Sequence, residues 1–190
     1  MPLTTITTVA PGVHIGLWQM TEAVECKEYS SVARQREYTC VRLLLDAMYV
    51  GDTPAIYYEP TGRPRLTNGD CIGISHSKDY CCIIISQRHN VAIDIEKVSN
   101  RVDAVAGRML RDDEQAPTLT HRLIHWCAKE TLYKLFPDDR LQLSDVRVTP
   151  FDCDEGLRNG TIKVVNIPRS LTLDVHFIVD NDKIMTYCYD

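Results

Sequence analysis

Apolar and polar residues alternate along the chain with two different periods. Between residues 24 and 49, apolar side chains recur every three to four positions, which predicts one helix or two with a buried stripe. Ser30-Ser31 is a predicted cap of the second of these helices. Residues 101–111 and 119–136 also show the helical period, and a proline between them predicts two separate helices.

The remaining apolar segments have the pattern of strands. A strand or hairpin is predicted over residues 3–20, where Pro11-Gly12 indicates a turn. Further strands are predicted at 55–58, 71–75, 80–86, 91–96, 146–148, 161–165, 171–179 and 184–189. The order β-α-β-β-β-α-β-β-β predicts an α+β fold. We expect two similar half-domains, residues 1–100 and 101–190, packed as one compact unit.

Composition is that of an ordinary globular protein. Of the 190 residues, 44% are hydrophobic and 25% are charged. No apolar run approaches the roughly 20 residues of a membrane span, and no signal-peptide pattern opens the chain. The eight cysteines form no Cys-x-x-Cys pair, which argues against a zinc site and favours reduced, buried thiols. We therefore expect a cytoplasmic protein.

The net charge of −5 argues against nucleic-acid binding through a broad basic surface. Basic residues nevertheless cluster locally, at Arg34, Arg36 and Arg42 and again at Arg63 and Arg65. Either cluster is compatible with a phosphate-binding patch or with an ordinary solvated face.

Two acidic residues share one face of the predicted strand at 91–96. Asp94 and Glu96 are two positions apart, so their Cα atoms lie about 7 Å from each other on the same side. Neighbouring carboxylates repel unless a cation lies between them, and Mg²⁺ prefers such oxygen ligands. The alternative is a strand with one exposed polar face.

A second charged pair lies on the predicted helix at 119–136. Glu130 and Lys134 are one turn apart and share a face, which also suits an ordinary surface ion pair. Lys129 points roughly 100° away and is predicted to face solvent or to bind a ligand. Upstream, Ser75-His76-Ser77 is predicted to form a polar turn after a strand. The histidine and the backbone N–H groups there suit a phosphate, although a plain polar loop would look the same.

These segments together resemble the 4′-phosphopantetheinyl transferases, most closely the surfactin-synthetase type, in which two half-domains form a pseudo-dimer. Residues 91–96 are similar to the family motif (V/I)G(V/I)DIE, and residues 126–134 to (W/F)xxKE(A/S)xxK. The family elements GKP and SHS appear as residues 62–64 and 75–77, in the family's order. Residues 36–44 resemble the family's N-terminal helix. Ala92, Thr131 and Arg63 depart from the motifs, but none of them removes a charged group.

The resemblance implies an Mg²⁺-dependent enzyme. It would transfer the 4′-phosphopantetheine group of coenzyme A to a serine of an apo acyl or peptidyl carrier protein and release 3′,5′-adenosine bisphosphate. Asp94, Glu96 and Glu130 would hold Mg²⁺, and Glu130 or a metal-bound water would take the serine proton. Lys134 would bind the pyrophosphate and, with Glu130, form the catalytic pair.

The resemblance also implies where the two substrates bind. His76 and Arg63 would contact phosphates of coenzyme A, Ser75 would lie near the nucleotide, and Arg36 or Arg34 would assist at the 3′-phosphate. An acidic helix of the carrier would meet Arg101, Arg108 and Arg111 of the predicted helix at 101–111. A pseudo-dimer can complete its site within one chain, so we expect a monomer. The alternatives are a non-catalytic coenzyme A or carrier-binding homologue and a phosphohydrolase that uses the same carboxylates.

Overall fold

A computed structural model describes residues 4–21, 31–153 and 158–190 of the chain. Its first sheet is antiparallel, with the strand order β1-β2-β6-β5-β4-β3. These strands are β1 (Thr4–Ala10), β2 (Val13–Gln19), β3 (Ile56–Tyr58), β4 (Pro64–Leu66), β5 (Cys71–Ser77) and β6 (Tyr80–Ser86). One long helix, α1 (Val32–Met48), packs on this sheet.

The second sheet is also antiparallel, with the order β7-β11-β10-β9-β8. Its strands are β7 (Val91–Lys97), β8 (Val146–Val148), β9 (Asn159–Asn166), β10 (Leu171–Val179) and β11 (Lys183–Tyr189). The helices α2 (Asp103–Met109) and α3 (Leu119–Leu135) pack on it. Helices and strands thus lie in separate segments around two sheets, and the predicted α+β class is confirmed.

Helix α1 begins at a capped residue and buries one stripe. The Ser31 hydroxyl accepts a hydrogen bond from the Arg34 backbone N–H at 3.2 Å, as expected of an N-cap. Cys40, Leu44 and Leu45 then pack against the first sheet. The helical prediction is confirmed from residue 32 onward, and its part at residues 24–30 lies outside the described residues.

Helix α3 matches its predicted bounds, whereas the segment before it differs from the prediction. The Thr118 hydroxyl caps α3 by accepting from the His121 backbone N–H. The predicted helix at 101–111 is instead a 3₁₀ turn over Asn100–Val102 followed by the two turns of α2. Val102 and Met109 are buried in the same core cluster as the apolar residues of α3.

The two sheets share an apolar layer, and β5 of the first sheet lies directly against β7 of the second. A Cβ atom on Gly73 of β5 would lie 3.1 Å from the Ala92 Cα and 3.3 Å from the Ile93 nitrogen. A side chain at this position would push the backbone of β7 away from β5, so the glycine allows the close approach. The Ala92 methyl group points instead into the core beneath α3. The alanine that departs from the family motif is therefore accommodated in the core.

Strand β7 precedes residue 100 but hydrogen-bonds to β11, with Asp94 opposite Thr186. It is an edge strand of the second sheet, and its free edge faces β5. In the described part of the chain, no helix has the length and apolar character that crossing a membrane requires.

Candidate functional site

Two carboxylates of β7 are held by hydroxyl groups of β5. The Ser75 hydroxyl donates to Asp94 Oδ1 at 2.8 Å, and the Ser77 hydroxyl donates to Glu96 Oε2 at 2.7 Å. The same hydroxyls accept from the Ile95 and Lys97 backbone N–H groups, which the second sheet leaves free. The two serines therefore satisfy an exposed strand edge and orient the acidic pair.

This arrangement corrects the prediction of a polar turn at residues 75–77. Strand β5 continues through Ser77, and the turn follows at Lys78, whose φ is 47°. Because side chains alternate along a strand, Ser75 and Ser77 share one face and His76 points to the other. The serine side chains bind the carboxylates of β7, and β5 offers no loop of free backbone N–H groups there.

Lys134 brings α3 to the same group. Its ammonium donates to Asp94 Oδ1 at 2.6 Å and to the Ser75 hydroxyl at 2.9 Å. Burial by itself lowers the pKa of Lys134, but the charge of Asp94 and the hydrogen bond to it raise the pKa above its ordinary value. The partner of Lys134 is thus Asp94, and no hydrogen bond joins Lys134 to Glu130 in the described structure.

Glu130 and Glu96 lie close enough to Asp94 for its charge to shift their pKa values. Burial raises the pKa of both glutamates, and the charge of Asp94 raises both further. Hydrogen bonds from Ser77 and Trp126 lower the pKa of Glu96 and so offset part of this rise. The three acids therefore form a cluster of carboxylates that repel one another. Among the described residues, Lys134 is the one cation that forms an ion pair with the cluster.

The cluster fits a hard divalent cation in its chemistry. Asp94 is 5% exposed, and its Oδ2 is buried with no hydrogen-bond partner among the described residues. Carboxylate oxygens are the ligands that Mg²⁺ prefers, and a cation would relieve the repulsion that disfavours ionised Glu96 and Glu130. Within the described ranges, however, no three His, Cys, Asp or Glu side chains already form a metal-ligating group.

His76 belongs to a neighbouring cavity of about 120 Å³ between α1 and the first sheet. Arg34 and Arg42 line this cavity, together with Tyr38 and Tyr58. Burial lowers the pKa of His76, and the nearby Glu37 opposes that shift. The cavity therefore offers basic groups and aromatic rings, side chains that suit the phosphate and the base of a nucleotide, and the charge of Asp94 acts on its His76.

Two arginines named from sequence lie elsewhere. Arg36 is on a different face of α1 and is not among the residues that line this cavity. The Arg63 guanidinium donates to the Asn90 side chain at 2.9 Å. Of the three clustered arginines named from sequence, Arg34 and Arg42 line the cavity beside His76, and Arg36 does not.

Two further cavities flank the acidic cluster. One of about 170 Å³ borders Glu130 and is lined by Tyr133, Gln142 and Leu143. The other, of about 250 Å³, borders Glu96 and is lined by Arg101 and Trp126. Glu130 and Glu96 thus each border a cavity of their own, separate from the one that His76 lines.

Lys129 corrects the sequence-based prediction of a solvent-facing residue. Its ammonium is fully buried and donates to Glu114 Oε2 at 2.7 Å, to the Met109 carbonyl and to the Leu143 carbonyl. The 100° step of the helix correctly predicted that Lys129 points away from Glu130, but it did not identify Glu114 as the ion-pair partner of Lys129. Glu114 lies 15 residues earlier, in a segment without a periodic pattern.

Sequence reasoning also missed Ser77 and Glu37 as partners of the named residues. A signal for Ser77 was present, because the two-residue spacing of Ser75 and Ser77 equals that of Asp94 and Glu96. No local pattern marked Glu37, whose contact with His76 joins α1 to β5.

A model of the 4′-phosphopantetheinyl transferase superfamily matches residues 90–188, which is more than half of the chain. The match includes Asp94, Glu96, Glu130 and Lys134, while His76 and Arg63 lie before it. None of the curated proteins compared with the chain matches it.

Proposed function

The chain belongs to the 4′-phosphopantetheinyl transferase superfamily, and we propose that it transfers the 4′-phosphopantetheine group of coenzyme A to a serine of an apo acyl or peptidyl carrier protein. The main support is the meeting of Lys134, Asp94 and Ser75 from three elements, with Glu96 and Glu130 beside them. We further propose the surfactin-synthetase type, a pseudo-dimer that works as a cytoplasmic monomer.

In the proposed reaction, the serine oxygen bonds to the β-phosphorus of coenzyme A. The bond from that phosphorus to the bridging oxygen breaks, and 3′,5′-adenosine bisphosphate leaves. The Lys134 ammonium would bind the pyrophosphate and offset the negative charge that develops on the leaving group. Glu130 would accept the serine proton, and burial raises its pKa above the ordinary value, which makes it a stronger base.

We propose that Asp94, Glu96 and Glu130 hold Mg²⁺. Bound there, the ion would neutralise charge on the pyrophosphate. Lys134 and Ser75 occupy Asp94 Oδ1, which leaves the buried Oδ2 as the oxygen that lacks a partner. The chain's own hydrogen bonds therefore orient one carboxylate and keep its second oxygen available.

The nucleotide would lie in the cavity of His76, Arg34 and Arg42, where the base would meet Tyr38 or Tyr58. The ribose phosphate would then lie near His76, and the pyrophosphate near Lys134, whose ammonium contacts the hydroxyl of the adjacent residue Ser75. Arg63 would have to give up its hydrogen bond to Asn90 to contact a phosphate of coenzyme A. Arg36 stays a proposed contact of the 3′-phosphate, although it lies outside this cavity.

The carrier would dock beside α2. Arg101 and Arg108 are exposed on this side, and Arg101 lines the cavity that leads to Glu96. Arg111 is already engaged with Asp113 and with the Ser144 carbonyl. Because the whole chain carries a net charge of −5, an acidic partner would have to be recognised through such a local basic surface.

Incubation with coenzyme A, Mg²⁺ and apo carrier proteins of several classes tests the proposal. We expect the carrier to gain the mass of phosphopantetheine and 3′,5′-adenosine bisphosphate to appear in equal amount. Omission of Mg²⁺ should stop the reaction. If every carrier stays unmodified while coenzyme A binds tightly, the chain is a non-catalytic binding protein. If phosphopantetheine is released without a carrier, the activity is hydrolysis.

A further inference from the structure

Glu37 lies between two basic side chains of the nucleotide cavity. Its Oε1 is 3.3 Å from His76 Nδ1, and its Oε2 is 3.3 Å from Arg34 Nη1. All three side chains line the cavity. One carboxylate of α1 therefore contacts the histidine of β5 and an arginine one turn earlier on its own helix.

The contact determines which edge of the imidazole is free. With Nδ1 directed at Glu37, the Nε2 edge remains for a ligand. A phosphate oxygen needs a donor at that edge, and a histidine donates from both nitrogens only when it is protonated. A carboxylate on Nδ1 both orients the ring and stabilises the protonated form, as in many carboxylate–histidine pairs.

Four charged groups act on His76 from the elements around it. Glu37 and Arg34 approach from α1, Lys134 from α3 and Asp94 from β7. Burial lowers the pKa of His76 most strongly, the two cations lower it further, and Glu37 opposes them more than Asp94 does. Glu37 is therefore the main group that keeps His76 able to take up a proton when an anion arrives.

We propose that Glu37 is a positioning residue, which orients His76 and Arg34 so that the cavity binds a phosphomonoester on the ribose of its ligand. The inference rests on coenzyme A being the substrate, since coenzyme A carries such a phosphate at the 3′ position. The negative charge of Glu37 also repels the phosphate. Glu37 Oε1 is 3.3 Å from His76 Nδ1, whereas a phosphate at the Nε2 edge would be farther from that oxygen by the width of the ring, and Coulomb energies fall with distance.

Calorimetric binding of coenzyme A and of 3′-dephospho-coenzyme A to the full chain tests the proposal. Glu37→Gln keeps the shape of the side chain and removes its charge, and Glu37→Asp keeps the charge. Asp46→Asn is the matched control, because it removes one negative charge from the exposed side of the same helix. The two ligands differ only in the phosphate at issue.

Wild type should bind coenzyme A more tightly than the dephospho form. Glu37→Gln should weaken coenzyme A binding about tenfold at pH 7.5 and leave the dephospho form within about twofold. The loss should shrink at pH 6, because His76 without its carboxylate takes up a proton only at lower pH. Glu37→Asp should recover part of the affinity, and Asp46→Asn should match wild type.

Three outcomes would overturn the proposal. Unchanged or tighter coenzyme A binding by Glu37→Gln would show that the carboxylate repels the phosphate more than it orients the histidine. Equal losses for both ligands would reveal a merely structural role. Both outcomes leave the transferase proposal standing, because wild type still binds and transfers. A wild type that binds neither ligand would instead overturn the transferase proposal, and the role of Glu37 with it.

Discussion

Three consecutive residues of β5 serve two different surfaces of the molecule. Ser75 and Ser77 face β7 and bind the carboxylates of Asp94 and Glu96, while His76 faces α1 and contacts Glu37. Alternation along an extended strand separates them by geometry alone. A nucleotide cavity and an acidic cluster can therefore lie on opposite sides of one strand and still be adjacent along it.

Glu130→Gln tests the proposed catalytic carboxylate. We expect carrier modification to slow by about 100-fold or more, because the amide cannot accept the serine proton. We also expect the melting temperature to stay equal or rise, since burial and Asp94 disfavour the ionised form of Glu130. Stopped assays and thermal unfolding measure the two effects. Asp138→Asn, an exposed acid just beyond α3, is the control and should behave as wild type. A Glu130→Gln enzyme with the wild-type rate would remove Glu130 from the mechanism.

At the scale of elements, a buried ion pair joins segments that no sheet connects. Lys129 of α3 contacts the last carbonyl of α2 at Met109 and the carbonyl of Leu143. Its partner Glu114 also accepts from the Val148 backbone N–H of β8 at 2.6 Å. The pair thereby fastens α2 and β8 to the middle of α3, next to Glu130.

Lys129→Met should destabilise the fold by about 3–5 kcal/mol, because it leaves the Glu114 carboxylate buried without its cation. The double variant Lys129→Met/Glu114→Gln should recover most of that loss, since the amide oxygen can still accept from Val148. Chemical unfolding of both variants measures the difference. The control is Lys163→Met, whose partner Asp174 is about half exposed, and it should change stability by less than about 0.5 kcal/mol. A small loss in Lys129→Met would mean that water reaches Glu114.

At the scale of the whole molecule, folding buries histidines on both sheets. The pKa values of His76, His125 and His176 are all lowered, in each case chiefly by burial. A base with a lowered pKa takes up its proton more readily when unfolded. Its stabilising contribution is therefore complete above the ordinary histidine pKa of 6.5 and is lost as the pH falls below it. Glu96 and Glu130, whose pKa values are raised, act in the opposite direction at lower pH.

His125→Gln isolates one of these contributions. His125 is 2% exposed in α3 and packs on Phe151. Wild type should lose up to about 1.4 kcal/mol more stability per pH unit below pH 6.5 than the variant does. Urea unfolding of wild type and variant at pH 7.5 and 5.5 measures the difference in their pH dependence. The contributions of Glu96 and Glu130 are the same in both proteins and cancel. His14→Gln, at an exposed position of β2, is the control and should keep the wild-type pH dependence. Parallel curves for wild type and His125→Gln would show that His125 stays accessible to protons.

Much of the secondary structure follows from local pattern. The periods of apolar residues predicted α3 and the four C-terminal strands to within two residues at each end, because each element buries one face and exposes the other. The same reasoning missed β4, a three-residue strand around Pro64, and it ended β5 two residues early at Ser75. Strand β4 lies between β5 and β3 in the sheet but has only three residues, which are too few to show a period.

The acidic residues Asp94, Glu96 and Glu130 and the basic Lys134 were named from spacing and resemblance, since chemistry of this kind depends on residue type and order along the chain. Their partners were decided only by tertiary structure. The pairing of β7 with β11, the serines of β5 beneath it, Glu37 beside His76 and Glu114 beside Lys129 all join residues distant in sequence. Such contacts arise from how sheets and helices pack, and a periodic pattern carries information about one element's faces but none about which element will cover them.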